Sequence, residues 1–309
     1  MDVAAALAPV FFLIVIGYAF RRSGFLEEGF WVRADRLTYF VLFPALLAHN
    51  LALAHLGEIR FAGMVVALVG AVAAVALVLL VLRPRLKLGG PAFTSVFQGS
   101  IRPNTYVGLA AAVALYGDAG LTLAAVAVAA MVPLVNVLST TALARFASDG
   151  PEPRGDPPPF REIAATVARN PLILACLAGV VLNWSGLGLP LGSEPVLDIL
   201  GRAALPLGLL SVGAGLDVKA ARSAVSPLAV ASVCKLVALP AIAVAALKGL
   251  GVGGLTATVA ILFAALPTSA TSYVMARQLG GDHGLMAGII TVETALAVVT
   301  LPAALILFG

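Results

Sequence analysis

Apolar residues run along this chain in blocks of about 18 to 24, each long enough to cross roughly 30 Å of hydrocarbon at about 1.5 Å per helical residue. The pattern predicts ten membrane-spanning helices, at about 3–20, 37–54, 61–82, 91–115, 121–144, 171–189, 196–216, 225–247, 255–277 and 285–308. The polar interruptions are short except for residues 145–170, where DGPEPRGDPPPF brings five prolines and mixed charge that cannot build a core. That stretch is expected to be a cytoplasmic linker between two blocks of five spans, 1–144 and 171–309. No room remains for a separate soluble domain.

Composition agrees with the pattern. The 309 residues are 61% hydrophobic and 11% charged, with a mean hydropathy of +1.05, which excludes a water-soluble globular domain. The first block has no basic leader, and Arg21 and Arg22 follow it directly, so it reads as a first span rather than a signal peptide. Cys176 and Cys234 lie inside apolar runs without metal-like spacing, and His49, His55 and His283 form no ligand cluster. No cofactor or metal is expected.

The sequence pI near 9.3 raises the possibility of a nucleic-acid partner. The basic residues, however, sit in short loops, where they orient a membrane protein. With both termini outside, the inner loops hold Arg21, Arg22, Arg33, Arg36, Arg83, Arg85, Lys87, Arg145, Arg154, Arg161, Arg169, Lys219, Arg222 and Arg277, which are 14 of the 19 basic residues. Only Arg60 and Lys248 fall in outer loops. The bias predicts a multi-pass protein of the cell membrane with both termini extracytoplasmic, and the nucleic-acid reading is discarded.

The two halves resemble each other. Leu115-Tyr-Gly-Asp-Ala-Gly-Leu121 recurs as Leu279-Gly-Gly-Asp-His-Gly-Leu285 at an offset of 164, and Pro103 maps to Pro267 at the same offset. Gly17 with Ser23-Gly24 recurs as Gly179 with Ser185-Gly186 at 162. Five spans per copy, an odd number, make the second copy enter the membrane from the opposite side. The expected architecture is a 5+5 inverted repeat, which suits alternating access.

In the fourth span, Gln98-Gly-Ser-Ile-Arg-Pro-Asn-Thr-Tyr-Val107 carries a mid-span proline. Pro103 deletes one backbone hydrogen bond and crowds the carbonyl of Gly99, so the helix should break there. Asn104 and Thr105 would then open a half-helix, offering side-chain oxygens and free amides at a positive dipole end. The ninth span repeats the plan in Leu266-Pro-Thr-Ser-Ala-Thr-Ser-Tyr273, where Pro267 frees the carbonyl of Phe263 and Thr268, Ser269, Thr271 and Ser272 follow. Two such breaks facing each other predict a polar pocket at mid-membrane. The bland alternative is an ordinary proline kink, and Pro9, Pro44, Pro133, Pro206, Pro240 and Pro302 also lie in or near spans.

Several stretches taken together resemble the auxin efflux carrier family. They are Gly17-Tyr-Ala-Phe-Arg-Arg-Ser-Gly-Phe-Leu, Tyr39-Phe-Val-Leu-Phe-Pro-Ala-Leu, Arg102-Pro-Asn-Thr-Tyr-Val-Gly, Asn170-Pro-Leu-Ile-Leu-Ala, Leu210-Ser-Val-Gly-Ala-Gly-Leu, Lys235-Leu-Val-Ala-Leu-Pro and Leu266-Pro-Thr-Ser-Ala-Thr-Ser-Tyr-Val-Met-Ala. The resemblance runs in order along nearly the whole chain. It implies the fold shared with bile acid sodium symporters, with helices 1, 2, 6 and 7 as a dimerising scaffold. Helices 3–5 and 8–10 would then form a mobile, elevator-type transport domain with helices 4 and 9 crossed. It also implies organic anion substrates such as auxin or small carboxylates, malonate among them. Two departures stand out: the family often has a small hydroxyl residue where this chain has Glu293, and the long hydrophilic loop of plant members is only a short linker here.

A charge at mid-membrane is unfavourable by about 2.5 to 3.5 kcal/mol even on a lenient scale, so each embedded charge needs a partner or a role. Arg102, eleven residues into its span, would attract a substrate carboxylate beside Asn104 or pair with an acid. Lys235 and Glu293 would form a structural ion pair; otherwise Glu293 is the leading proton carrier. Arg202 is expected to pair with Asp198 on the helix surface. Asn136 would line the pocket or bond across helices.

A membrane potential of about 100 mV is worth about 2.3 kcal/mol per charge, roughly 50-fold, and pushes an anion outward. A sodium site usually includes a carboxylate, and Glu293 is the one acid well inside a span. Uniport or proton coupling therefore ranks above sodium symport. The spans contain no paired aspartates, Ser-His pair or metal-ligand set, so an enzyme is not expected; a receptor or scaffold gains nothing from two-fold access symmetry.

Overall fold

The computed structural model describes residues 3–54, 61–147, 161, 165, 168–186, 188–190, 192–222 and 225–309. Most of the 145–170 linker lies outside the described residues, as do His55, Arg60 and Arg154. Among the described residues the chain is all-helical apart from turns and a single isolated antiparallel bridge. Among the described residues seven helical stretches are long and apolar enough to cross a membrane, and two shorter apolar helices, Pro171–Ser185 and Gly254–Ala264, lie among them. The protein is a multi-pass membrane protein.

The helices are α1 (Val3–Ser23), α2 (Glu28–Leu37), α3 (Phe43–Leu53), α4 (Ala62–Leu86), α5 (Gly90–Ile101), α6 (Thr105–Phe146), α7 (Pro171–Ser185), α8 (Ser193–Ala214), α9 (Val225–Val233), α10 (Leu239–Gly249), α11 (Gly254–Ala264), α12 (Thr271–Leu279) and α13 (His283–Phe308). Two π-helical turns, Thr38–Leu42 and Cys234–Ala238, join α2 to α3 and α9 to α10. Each lies just before a proline, Pro44 or Pro240, whose missing N–H forbids the regular bond to the carbonyl four residues back. The second predicted span starts earlier than expected, at Glu28, because the charged segment ahead of it is itself helical and buries Trp31 and Ala34. The expected gap near residue 118 is instead a kink within α6, where Gly117 adopts φ 57° and ψ −144°.

The chain forms two compact units. One comprises Met1–Phe61, Tyr106–Ala129 and Ala165–Gly215; the other comprises Ala62–Thr105, Ala130–Ala164 and Leu216–Gly309. In the first, α1 packs along α8, and α3 packs along α7. The α1 stripe Leu7, Val10, Phe11, Ile14 and Gly17 is buried, while Phe12, Val15 and Ile16 on the other side are exposed. Both faces are apolar, so packing rather than hydropathy separates them. Contact between α1 and α8 is close because each supplies a glycine: a Cβ on Gly17 would overlap the carbonyl of Leu210, and one on Gly213 that of Ile14. Gly179 of α7 lies likewise against α3, where a Cβ would stand 2.8 Å from the Ala48 oxygen.

Helix α7 carries start and stop signals of its own. The Asn170 side chain accepts from the amides of Leu172 and Ile173 at 3.0 and 3.3 Å, Pro171 follows, and Gly186 closes the helix at φ 67°. At its far end the Asn183 amide donates to the Ala52 and Ala54 carbonyls at 3.0 and 2.6 Å, satisfying the last turn of α3. The ring of Tyr106 stacks on Phe43 with centroids 4.6 Å apart.

In the second unit α5 and α11 are the deeply buried elements: Phe93 to Ile101 and Val259 to Ala264 are buried on all faces. Around them lie α4, α9, α10, α12 and α13. The α12–α13 turn is fastened to the start of α5, since the Asp282 amide donates to the Pro91 carbonyl at 3.2 Å and the Ser95 hydroxyl to the Asp282 carbonyl at 2.8 Å. The Asp282 side chain caps α13 through the Leu285 amide at 2.9 Å. The Arg83 guanidinium lies 4.2 Å over the Phe146 ring and 5.5 Å over that of Phe93.

Candidate functional site at the crossed helix breaks

Pro103 and Pro267 end their helices where the hydrogen-bond arithmetic requires. The α5 helix stops at Ile101, with Arg102 extended at φ −83° and ψ 118°, and α6 starts at Thr105. The α11 helix stops at Ala264, and α12 starts at Thr271. The two breaks meet. Pro103 and Thr268 form the isolated antiparallel bridge, and the Asn104 amide donates to the Pro267 carbonyl at 2.8 Å. The backbone groups freed by one proline are thus satisfied at the other break, which is why irregular backbone persists here.

Three further groups freed by the breaks find partners in this unit. The Thr268 hydroxyl donates to the Gly99 carbonyl, the one left without a backbone donor by Pro103. In an unbroken helix the Thr268 amide would meet the Ala264 carbonyl. Here the Thr268 amide donates to Glu293 Oε2 at 2.9 Å, and the Ala264 carbonyl accepts from Lys235 Nζ at 3.4 Å. The Arg102 side chain, at the end of α5, reaches out to α6 and α12, its guanidinium donating to Asn136 Oδ1 at 2.8 Å, to Thr271 Oγ1 at 3.1 Å and to the Met275 sulfur at 3.6 Å. A cation thus stands at the negative C-terminal end of α11, and a carboxylate stands at the amide end of the same break.

The residues singled out from the sequence divide into three groups. Arg102, Asn136 and Thr271 are brought together by direct bonds. Asn136 therefore both bonds across helices and belongs to the polar cluster. Pro103, Asn104, Pro267 and Thr268 form the crossing, with Asn104 and Thr268 buried at 2% and 0% exposure. Two expectations change at this point. The Asn104 main-chain amide is committed to Pro267, and both polar groups of Thr268 are spent within the protein. Thr105 is the first residue of α6 and half-buried. Ser269 and Thr271 share a hydroxyl contact at 2.9 Å ahead of α12, whereas Ser272 is buried.

Lys235 and Glu293 are both fully buried, yet the ion pairs within 4.0 Å among the described residues are Arg21–Glu28 and Arg202–Asp198. The direct Lys235–Glu293 contact expected from the sequence is therefore replaced by bonds to opposite ends of one broken helix. The Arg202–Asp198 surface pair forms as expected, at 2.6 Å. Gly99 and Ala264 contribute through their carbonyls; the first is signalled by its place four residues before Pro103, and the second has no comparable signal. Gln98, with no exposure and no hydrogen bond to either amide atom among the described residues, also escaped the sequence reading.

Two broken helices that cross at their breaks thus bring a buried polar cluster together within a multi-pass membrane protein. Residues 157–305 match the family described as Membrane transport protein, and the likeness to the auxin efflux carrier family read from the sequence is borne out by this match. Two curated relatives are similar over part of the chain. An "Uncharacterized transporter" of Methanothermobacter thermautotrophicus is 32% identical over 134 residues, 43% of each chain. A "Putative malonate transporter" of Rhizobium meliloti is 29% identical over 139 residues, 45% of this chain and 43% of the relative. The matched stretch spans less than half the length of either relative.

Proposed function

We propose that this protein is a secondary transporter of small organic anions, mono- or dicarboxylates of the malonate or auxin type, working by elevator-type alternating access as a uniporter or with proton coupling. The observation that carries the reading is the crossing itself, where Asn104 N–H meets the Pro267 carbonyl and the buried Arg102 reaches Asn136 and Thr271. A carboxylate bound there would sit beside a guanidinium and a half-helix start, both of which favour negative charge. Glu293 already attends the second break, so the α6 start with Asn104 and Thr105 is the better place for the substrate.

Other features support the wider architecture. Repeat-related Gly17 and Gly179 both make close helix contacts, and a positive-φ glycine falls at or next to the recurrent Gly-Asp motif in each half, Gly117 within it and Gly280 one residue ahead of it. Both agree with ten spans in a 5+5 inverted repeat. The grouping of α1, α2, α3, α7 and α8 in one unit supports a scaffold distinct from a transport domain, with the scaffold as the expected face of a homodimer. In this reading both termini are extracytoplasmic in the cell membrane.

The test is uptake of labelled carboxylates, malonate first, into liposomes holding the purified protein, with sodium, pH and voltage varied separately. Arg102→Met and Asn104→Ala are expected to lower transport by at least tenfold while the protein still folds. Wild-type rates in both variants would refute the site, and an absence of transport across the carboxylate panel would refute the substrate class.

A further inference from the structure

Lys235 stands in an unusual position for a charged residue. It is fully buried within the π-helical turn Cys234–Ala238, although Val233 just before the turn and Val237 within it are exposed at 57% and 58%. The extra residue of a π turn rotates the helix register, and here the lysine faces the end of α11. Its ammonium is directed at the Ala264 carbonyl, where the α11 dipole ends and Pro267 has removed the donor for Phe263. On the far side of the same break lies Glu293, which gives Oε2 to the Thr268 amide; Oε1 is buried and has no hydrogen bond among the described residues. Freed carbonyl oxygens at a negative helix end, with a carboxylate oxygen lacking a bond across the same break, are oxygen ligands of the kind a hard cation takes.

From this geometry we infer that the break in α11–α12 is a cation site which the protein fills with its own lysine. Lys235 supplies covalently the positive charge that a bound sodium ion would otherwise bring. Glu293 balances that charge without touching it, each group holding one half of the hydrogen bond that the break has parted. The site then needs no ion from solution. The inference extends the proposed transporter reading only in one consequence, that transport is independent of sodium; the cation site itself does not rest on that reading.

Thermal unfolding of purified protein in detergent, followed by the fluorescence of Trp31 and Trp184, tests the inference without any substrate. Sodium chloride or methylammonium chloride replaces choline chloride at constant ionic strength. The wild-type midpoint is expected not to move. Lys235→Ala is expected to unfold several degrees lower in choline and to recover saturably with sodium or methylammonium; the recovery is expected to vanish in Lys235→Ala/Glu293→Gln. A wild-type midpoint that rises with sodium overturns the inference, as does a folded Lys235→Ala that responds to neither cation. If Lys235→Ala does not fold, the neutral pair Lys235→Met/Glu293→Gln decides: its recovery of folded protein supports the balanced-charge site, and its failure overturns it. Loss of carboxylate transport in liposomes would count against the transporter reading alone.

Discussion

Replacing Thr268 by valine tests the crossing at its most buried point. The side chain has no exposure, and its hydroxyl donates to the Gly99 carbonyl. Valine has nearly the same shape, so no cavity opens and the loss of one hydrogen bond is isolated. No backbone donor can take its place, because residue 103 is a proline. Leaving a buried acceptor unsatisfied costs about 1 to 3 kcal/mol. Side-chain hydrogen bonds in membrane proteins average only about 0.6 kcal/mol and reach about 1.7, since the unfolded chain in lipid also finds partners. Gly99 is sealed inside protein, which favours the upper part of that range. The expected loss is about 1 to 2 kcal/mol, roughly a 5- to 30-fold fall in the ratio of folded to unfolded protein. Unfolding in mixed micelles, with SDS titrated into dodecylmaltoside and helix content followed by circular dichroism, measures it. Thr258→Val is the control: its hydroxyl bonds the Gly254 carbonyl at 3.2 Å at an exposed site, and the change should be within about 0.5 kcal/mol of zero. A Thr268→Val protein no less stable than this control would show that the hydroxyl does not hold the breaks together.

Two further substitutions address the packing and the caps. Gly213→Val forces a side chain onto the Ile14 carbonyl, which is backbone and cannot rotate aside, so a loss of about 3 kcal/mol is expected in the same SDS titration. Gly70→Ala, where an added Cβ meets nothing, should be neutral or stabilising by up to about 1 kcal/mol. Asp282→Ala removes the cap on the Leu285 amide and should lower stability by about 1 kcal/mol, while Asp282→Asn, which keeps an acceptor, should restore most of it.

Much of the fold is legible in the residues because its causes are local. A proline deletes a particular N–H, so the breaks at Pro103 and Pro267 follow from the chain alone, as does the cap that Asn170 and Pro171 place on α7. Apolar length likewise announces the spans, since lipid demands a helix whose backbone bonds are satisfied internally. What a freed group bonds to is another matter. Thr268 and Gly99 are 169 residues apart, and only the crossing of two helices makes them partners.

The same limit explains the charged pair. Sequence depth brings Lys235 and Glu293 to one level of the membrane and suggests direct contact, but each meets the opposite end of the α11 break instead, because a parted helix offers a carbonyl to one and an amide to the other. Helix faces escape local reading too: Phe11 and Phe12 are adjacent and equally apolar, yet one is 9% exposed and the other 66%. In water the solvent sorts such faces by polarity. In lipid only the fit of one helix against another does so, and that fit exists once the tertiary structure has formed.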